Sequence, residues 1–354
     1  MEKTSKIYIA GHTGLVGSAV YRELQRRGYE KLIVRTHAEL DLTDQTAVNA
    51  FFEHEKPEYV FLAAARVGGI VGNSTYPAEF IYTNLAIGTN IVQASYKYGV
   101  KKLLNFASSC IYPKEAPQPM KEEYLLTGDL EKTSEAYSIA KIAILKMCHY
   151  YNKQYGTQFL TVMPPNQYGL GDNFNMQTAH FLPMIIRRFE LAKLLQQKDF
   201  DAIRRNLKAD KLGWNIDEKI DFSNEKSLEE ACHQVGAFAD KVTAWGDGTV
   251  YRELMNSDDL AAICVEIMNT YTAAQIGEFI NIGAGSDIQM KDLLQLVKEI
   301  VGFQGQIVFD PTKPNGVARK LLDTTRMQAL QIAFPGKLED GIRRFYEQYL
   351  QRTK

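Results

Sequence analysis

Lys6-Ile7-Tyr8-Ile9-Ala10-Gly11-His12-Thr13-Gly14-Leu15-Val16-Gly17 carries a short β-rich run through three glycines into an amphipathic helical pattern over 16–27. Glycines at such a turn let the backbone approach a pyrophosphate, and a helix opening there supplies N–H donors and the positive end of its dipole. The stretch reads as a dinucleotide cradle formed by Gly11, His12, Thr13, Gly14, Leu15, Val16 and Gly17. Further β-rich runs at 31–35, 59–63, 103–107 and 159–163 alternate with helical patterns at 44–54, 77–98 and 136–155. That alternation predicts βαβ units, hence an α/β fold with a Rossmann-type doubly wound parallel sheet.

At 354 residues the chain has room for about two domains. Residues 1–164 are expected to bind the dinucleotide, with a returning segment at 255–283. After Pro164-Pro165 the turn signals Gly169, Gly171, Gly246 and Gly248 punctuate less regular segments, so 165–254 and 284–354 are assigned to a smaller α/β, substrate-binding domain. Within it 191–240 is charged and helical in rhythm, a helical lid or a surface excursion. With 41 basic against 42 acidic residues the chain has no field to draw nucleic acid or an anionic membrane. Cys110, Cys148, Cys232 and Cys264 show no ligand spacing, so neither a metal site nor a disulfide framework is expected, and a reduced, cytoplasmic setting fits. No apolar run approaches membrane-spanning length.

The second strand ends Val34-Arg35-Thr36-His37, without the acidic residue that holds a free ribose 2′-hydroxyl. Arg35 instead favours a 2′-phosphate, and so NADP(H), unless it is a plain solvated strand-end charge. Asp41-Leu42 follow closely and flank the adenine in this reading. Tyr137-Ser138-Ile139-Ala140-Lys141 places a phenol and an ammonium one helical turn apart on one face. A phenol titrates near pH ~10, and the neighbouring cation is expected to lower that value. Ser108, past the fourth strand, is expected to share a substrate carbonyl oxygen with Tyr137, while Lys141 also bonds the nicotinamide ribose. The set predicts hydride transfer to a carbonyl. Cys110 and His180 either pack as structural residues or act as the base and acid that invert a carbon beside that carbonyl.

With these words the chain resembles, nearly end to end, the GDP-L-fucose synthase family of extended short-chain dehydrogenase/reductases. The specific matches are Ala63-Ala64-Ala65-Arg66-Val67-Gly68-Gly69-Ile70, Thr75-Tyr76-Pro77-Ala78, Ser108-Ser109-Cys110-Ile111-Tyr112-Pro113-Lys114, Asp172-Asn173-Phe174, Arg252-Glu253 and Arg319-Lys320-Leu321-Leu322-Asp323. The resemblance implies NADPH-dependent reduction at C4 of a GDP-linked 4-keto-6-deoxy sugar after epimerisation at C3 and C5. Ser108, Tyr137 and Lys141 are implied for the reduction, and Cys110 and His180 for the epimerisations. It further implies that Ala63, Ala64, Ser109, Pro164, Asn166 and His180 line the cofactor. Ser108, Asn166, Arg188, Trp245, Arg252, Asn315 and Lys320 are implied to hold the sugar nucleotide, and the family is typically homodimeric through first-domain helices.

The departures bear on substrate and cofactor. Thr13 and His37 stand where some relatives use arginines near the 2′-phosphate, and Asn315 stands where an aspartate contacts the nucleotide sugar. Pro165 and Gln167 alter the usual Pro-Thr-Asn-Leu-Tyr-Gly word, and Met255-Asn256-Ser257-Asp258-Asp259 lacks the histidine of the usual His-Val-Asp-Asp word. The 191–240 stretch is longer than its family counterpart. These changes keep a GDP-linked 6-deoxy-heptose of capsule or lipopolysaccharide pathways open as the substrate. Two competing readings are a C4 reductase whose epimerisation is done elsewhere and a catalytically silent dinucleotide-binding regulator. A 4,6-dehydratase is disfavoured, since threonine and acidic residues would occupy the place of Ser108-Ser109-Cys110.

Overall fold

Alternation along β1 (Lys6–Ala10) decides how the first unit is layered. Ile7 and Ile9 enter one buried cluster and Tyr8 and Ala10 another, so both faces are apolar and both need helices over them. In this computed structural model, which describes residues 1–312, 317–334 and 336–353, β1 lies inside a six-stranded sheet. The order is Ile280–Asn281, β5 (Phe159–Met163), β4 (Lys102–Phe106), β3 (Tyr59–Leu62), β1 and β2 (Lys31–Ile33), every pair parallel. Winding runs one way from β1 to β2 and the other way to β3, the switch point at which open α/β sheets bind ligands.

One face is covered by α1 (Leu15–Arg26) and the helix Ser257–Thr270, through Ala19, Val20, Leu24, Leu260 and Cys264. The other is covered by α2 (Gln45–Glu55), α4 (Pro77–Lys97) and α5 (Glu135–Tyr155), through Phe52, Ile91, Val92, Ile144 and Cys148; the short α3 (Ile70–Thr75) precedes α4. The strand expected at 31–35 stops at Ile33, because Arg35 turns back to bond the Val34 carbonyl and Glu55.

The first unit comprises Met1–Gly171, Glu253–Ser286 and Lys320–Gly336, more than the expected 1–164 and 255–283. The additions have local causes. β6 (Asn166–Tyr168) pairs in parallel with Leu254–Asn256, and the Met120 backbone exchanges hydrogen bonds with Leu321 and Asp323 at 2.7 and 2.8 Å.

The second unit, Asp172–Arg252, Asp287–Arg319 and Lys337–Lys354, contains α6 (Phe181–Gln197), α7 (Phe200–Ala209), α8 (Glu225–Gln234) and β7 (Lys241–Trp245), the last paired in parallel with Gln306–Asp310. The 191–240 stretch is the end of α6 followed by α7 and α8. Arg187 of α6 is fully buried, and its guanidinium donates to the carbonyls of Phe174 (2.8 Å), Lys211 (2.8 Å) and Asp210 (2.6 Å) and to Asn206 Oδ1 (3.1 Å). A buried cation is tolerable only when its donors are satisfied, and here backbone oxygens satisfy them. Among the described residues no helix is long and apolar enough to cross a membrane, and no group of three or more potential metal ligands is found.

Candidate active site

The glycine turn is a matter of clearance. Gly11 has φ +87°, and a Cβ there would lie 2.6 Å from the Ala64 nitrogen; a Cβ on Gly17 would lie 2.1 Å from the Gly11 carbonyl oxygen. The turn after β1 is therefore pressed against the end of β3, which sets Ala63 and Ala64 beside it. Gly14 opens α1 with no side-chain cap and no acid in the first turn, so donors and dipole face outward for an anion. His12 Nδ1 is buried without a hydrogen-bond partner, a polar atom that a ligand can satisfy. Thr13 is exposed, and Leu15 and Val16 are half-buried in the first turn of α1. The cradle fits a dinucleotide pyrophosphate.

Arg35 is partly exposed and already has partners within the protein. It donates to Glu55 Oε1 at 2.6 Å and to the Val34 carbonyl at 2.8 Å, with its guanidinium 5.5 Å from the Phe51 ring centre. His37 is exposed, its Nδ1 3.9 Å from Asp41 Oδ1. Backbone and hydroxyl donors of Thr43 hold the Asp41 carboxyl below the usual range. Leu42 is buried, and its carbonyl accepts from Asn90 at 3.0 Å.

After β4 the chain turns through Ser108 into a single 3-10 turn, Ser109–Ile111, where Ser108 Oγ accepts from the Cys110 N–H at 3.4 Å. Three anchors fix this loop. Ile111 and Tyr112 are buried, the Tyr112 hydroxyl donates to Asn281 Oδ1 at 2.6 Å, and Ser138 donates to the Cys110 carbonyl at 3.0 Å. Ser109 is buried and Cys110 half-buried. Across from them on α5, the Tyr137 phenol faces the Ser108 side chain, which acts to lower its pKa. Lys141 is buried, donates to the Phe106 carbonyl at 2.8 Å and lies 5.9 Å from the Tyr137 ring centre.

These surroundings correct the expectation of an acidified phenol. Burial pushes Tyr137 well above the ordinary tyrosine value, Cys110 adds to the rise, and Ser108 offsets only part of it. Lys141 is itself drawn down to about 8 by desolvation. Its ammonium is engaged by a carbonyl rather than by the phenol. Tyr137 is therefore a protonated donor across the neutral range.

His180, Arg188, Trp245 and Arg252 belong to the second unit. His180 precedes α6; its surface is open to water, yet the protein around it disfavours the charged form and lowers its pKa. Arg188 is buried, donates to the Thr243 carbonyl at 2.6 Å and leaves Nε without a partner; desolvation brings it down to about 10, still cationic at neutral pH. Trp245 is exposed at the end of β7, and Arg252 donates to the Tyr251 carbonyl at 2.6 Å with its pKa lowered by burial. In the first unit, Pro164 is buried past β5, Asn166 is exposed on β6 and Lys320 is half-buried. Asn315 lies outside the described residues.

Three supporting residues have no role in the motif reading, although Glu253 falls within one of the matched words. Asn84 exchanges bonds with the backbone of Arg66 at 2.9 and 3.0 Å, holding the segment that follows β3. Asn281 receives Tyr112 and donates to the Met120 and Asp323 carbonyls at 2.9 and 3.0 Å. The buried Glu253 carboxylate accepts from the N–H groups of Gly285 and Leu322 at 3.0 and 2.8 Å, fixing the segment that bears Lys320. An asparagine in mid-helix was the available signal for the first, since that residue competes with helical bonding unless its side chain has a task.

A doubly wound sheet with a glycine cradle at its switch point, and a Ser, Tyr, Lys set past β4, define an extended short-chain dehydrogenase/reductase. The model of the NAD dependent epimerase/dehydratase family matches residues 7–209 and 221–283. GDP-L-fucose synthase 1 of Arabidopsis thaliana is 43% identical over 352 residues, 99% of this chain and 95% of that protein. The structure of a GDP-6-OMe-4-keto-L-xylo-heptose reductase from C. jejuni superposes with a TM-score of 0.91 at 39% identity, covering 99% of each chain. MlghC, a GDP-mannoheptose C4 reductase from Campylobacter jejuni with NADP bound, does so with a TM-score of 0.88 at 40% identity, again over 99% of each. The chain belongs to the GDP-L-fucose synthase family.

Proposed function

We propose that this protein uses NADPH to reduce the C4 ketone of a GDP-linked 4-keto-6-deoxy hexose or heptose, and epimerises C3 and C5 of the same sugar, for surface polysaccharide synthesis in the cytoplasm. The placing of Ser108 against the Tyr137 phenol, beside the buried Lys141, carries this reading, because it pairs a protonated phenol with a second hydroxyl on one prospective carbonyl oxygen.

In this reading NADPH supplies the hydride to C4. Gly11 to Gly17 hold its pyrophosphate, Ala63, Ala64, Ser109, Pro164 and Asn166 line it, and Arg35, His37, Asp41 and Leu42 lie toward its adenosine end. Tyr137 gives its proton to the C4 oxygen while Ser108 hydrogen-bonds that oxygen. Lys141 stabilises the charge left on Tyr137 and bonds the ribose. Cys110 removes the proton from C3 or C5, carbons made acidic by the neighbouring ketone, and His180 returns one on the opposite face. Arg188, Arg252 and Lys320 serve the diphosphate, which favours several cationic donors, with Trp245, Asn166 and Asn315 completing the hold. A homodimer is inferred from the tyrosines exposed on α4 and α5, Tyr82, Tyr96, Tyr150 and Tyr155.

Incubation with NADPH and the 4-keto sugar in heavy water tests this reading. Deuterium is expected at C3 and C5 of a product reduced at C4; reduction without label would leave a C4 reductase alone. That second reading is favoured by the two heptose relatives from Campylobacter jejuni, which are described as reductases.

A further inference from the structure

The α7 insertion doubles back along α6. Arg187, in the second turn of α6, reaches the carbonyls of Asp210 and Lys211 just past α7 and that of Phe174 before α6, so 210–217 lies beside 173–180, the segment that ends in His180. A second tie joins the same two loops: Gln177 Oε1 accepts from the Trp214 N–H at 2.9 Å. The Asp217 carboxylate takes the N–H groups of Leu212 and Gly213, both at 2.8 Å.

What these bonds hold is unfavourable backbone. Gly213, Trp214 and Asn215 follow one another in the left-handed region, with φ of +86°, +48° and +59°. Glycine is required at 213, where a Cβ would lie 2.5 Å from Gln177 Cβ. Tryptophan is not a residue that favours this region, and strain imposed by surrounding bonds concentrates at ligand-binding positions. Packing does not explain the choice, since Trp214 is 44% exposed. An indole carried on backbone held in this way and open to solvent offers a flat apolar face of the kind on which the C–H face of a pyranose stacks.

We infer that Trp214 is a specificity-determining residue that stacks on the sugar of the nucleotide-sugar substrate. The inference rests on the proposed role of His180 at the sugar carbons, which makes the sugar rather than the guanine the portion within reach of this loop. Trp214→Gly removes the ring and relieves the strain, whereas Trp214→Phe keeps an aromatic face. At saturating NADPH, KM for the GDP-4-keto sugar is expected to rise about tenfold in Trp214→Gly and to stay within about threefold in Trp214→Phe. The NADPH and GDP dissociation constants, measured by calorimetry, should not change. An unchanged KM overturns the inference, and so does an equal loss of affinity for GDP, which would put the indole on the base. The chain has two tryptophans, so the fluorescence change on adding GDP-sugar is compared between the wild type and Trp214→Phe; a smaller change in Trp214→Phe, with the change on adding GDP equal in both, is expected, and an identical response to GDP-sugar overturns the inference. The underlying reading fails separately, if His180→Asn still exchanges deuterium at C3 and C5 at the wild-type rate.

Discussion

At Lys141 burial and charge oppose one another. Desolvation brings its pKa to about 8, so the residue is mostly cationic at pH ~7 and loses its charge just above. Reduction is therefore expected to fall as pH rises through about 8, measured as the rate of NADPH oxidation, and the fall should be absent in any Lys141→Arg variant that remains active. The stability effect has the opposite sign. Because the folded pKa lies below the unfolded value near ~10.4, the folded protein binds fewer protons between the two, and Lys141 destabilises less as pH climbs from about 8 toward that value. Arg35 supplies a second residue-scale prediction. Glu55→Gln should release its guanidinium and tighten NADPH relative to NADH several-fold, read from the two dissociation constants; an unchanged ratio would show that Arg35 does not serve the 2′-phosphate. The phenol and ammonium were legible in the sequence because helical spacing alone puts positions four apart on one face. Glu55 was not legible as Arg35's partner, since a contact across twenty residues depends on how α2 packs on the sheet.

Among the elements, β1 and α1 were readable from alternation and glycine spacing because clearance at Gly11 and Gly17 permits few other residues. Gly17→Ala should therefore cost about 1–3 kcal/mol or more, seen as a lower melting temperature, since the obstructing Gly11 carbonyl oxygen, 2.1 Å away, is backbone and cannot swing aside. Arg187→Leu should cost about 3–5 kcal/mol, because it strands the carbonyls of Phe174, Asp210 and Lys211 without their donor; melting followed by circular dichroism reads this directly. Nothing in the local pattern marked Arg187 as different from Arg188. The assignment of Lys320–Gly336 to the first unit was equally hidden, for it follows from two backbone bonds at Met120 that leave no trace in side-chain periodicity.

For the molecule as a whole, Tyr82 and Tyr96 lie fourteen residues apart on α4, close to four full turns, and so share a face. Tyr155 of α5 stacks on Tyr96 with ring centres 4.2 Å apart. Sedimentation should find a dimer that Tyr82→Glu with Tyr96→Glu converts to monomer, and a wild-type monomer would contradict the inferred homodimer. Substrate identity is the part least legible in the chain, because a hexose and a heptose ask for the same cradle and the same Ser108, Tyr137 and Lys141. The central claim is chemical and does not depend on that choice. It is tested most directly by Tyr137→Phe: NADPH should bind with the wild-type dissociation constant while its oxidation by the GDP-4-keto sugar falls at least about a hundredfold. A variant that reduces the ketone at the wild-type rate would contradict the account.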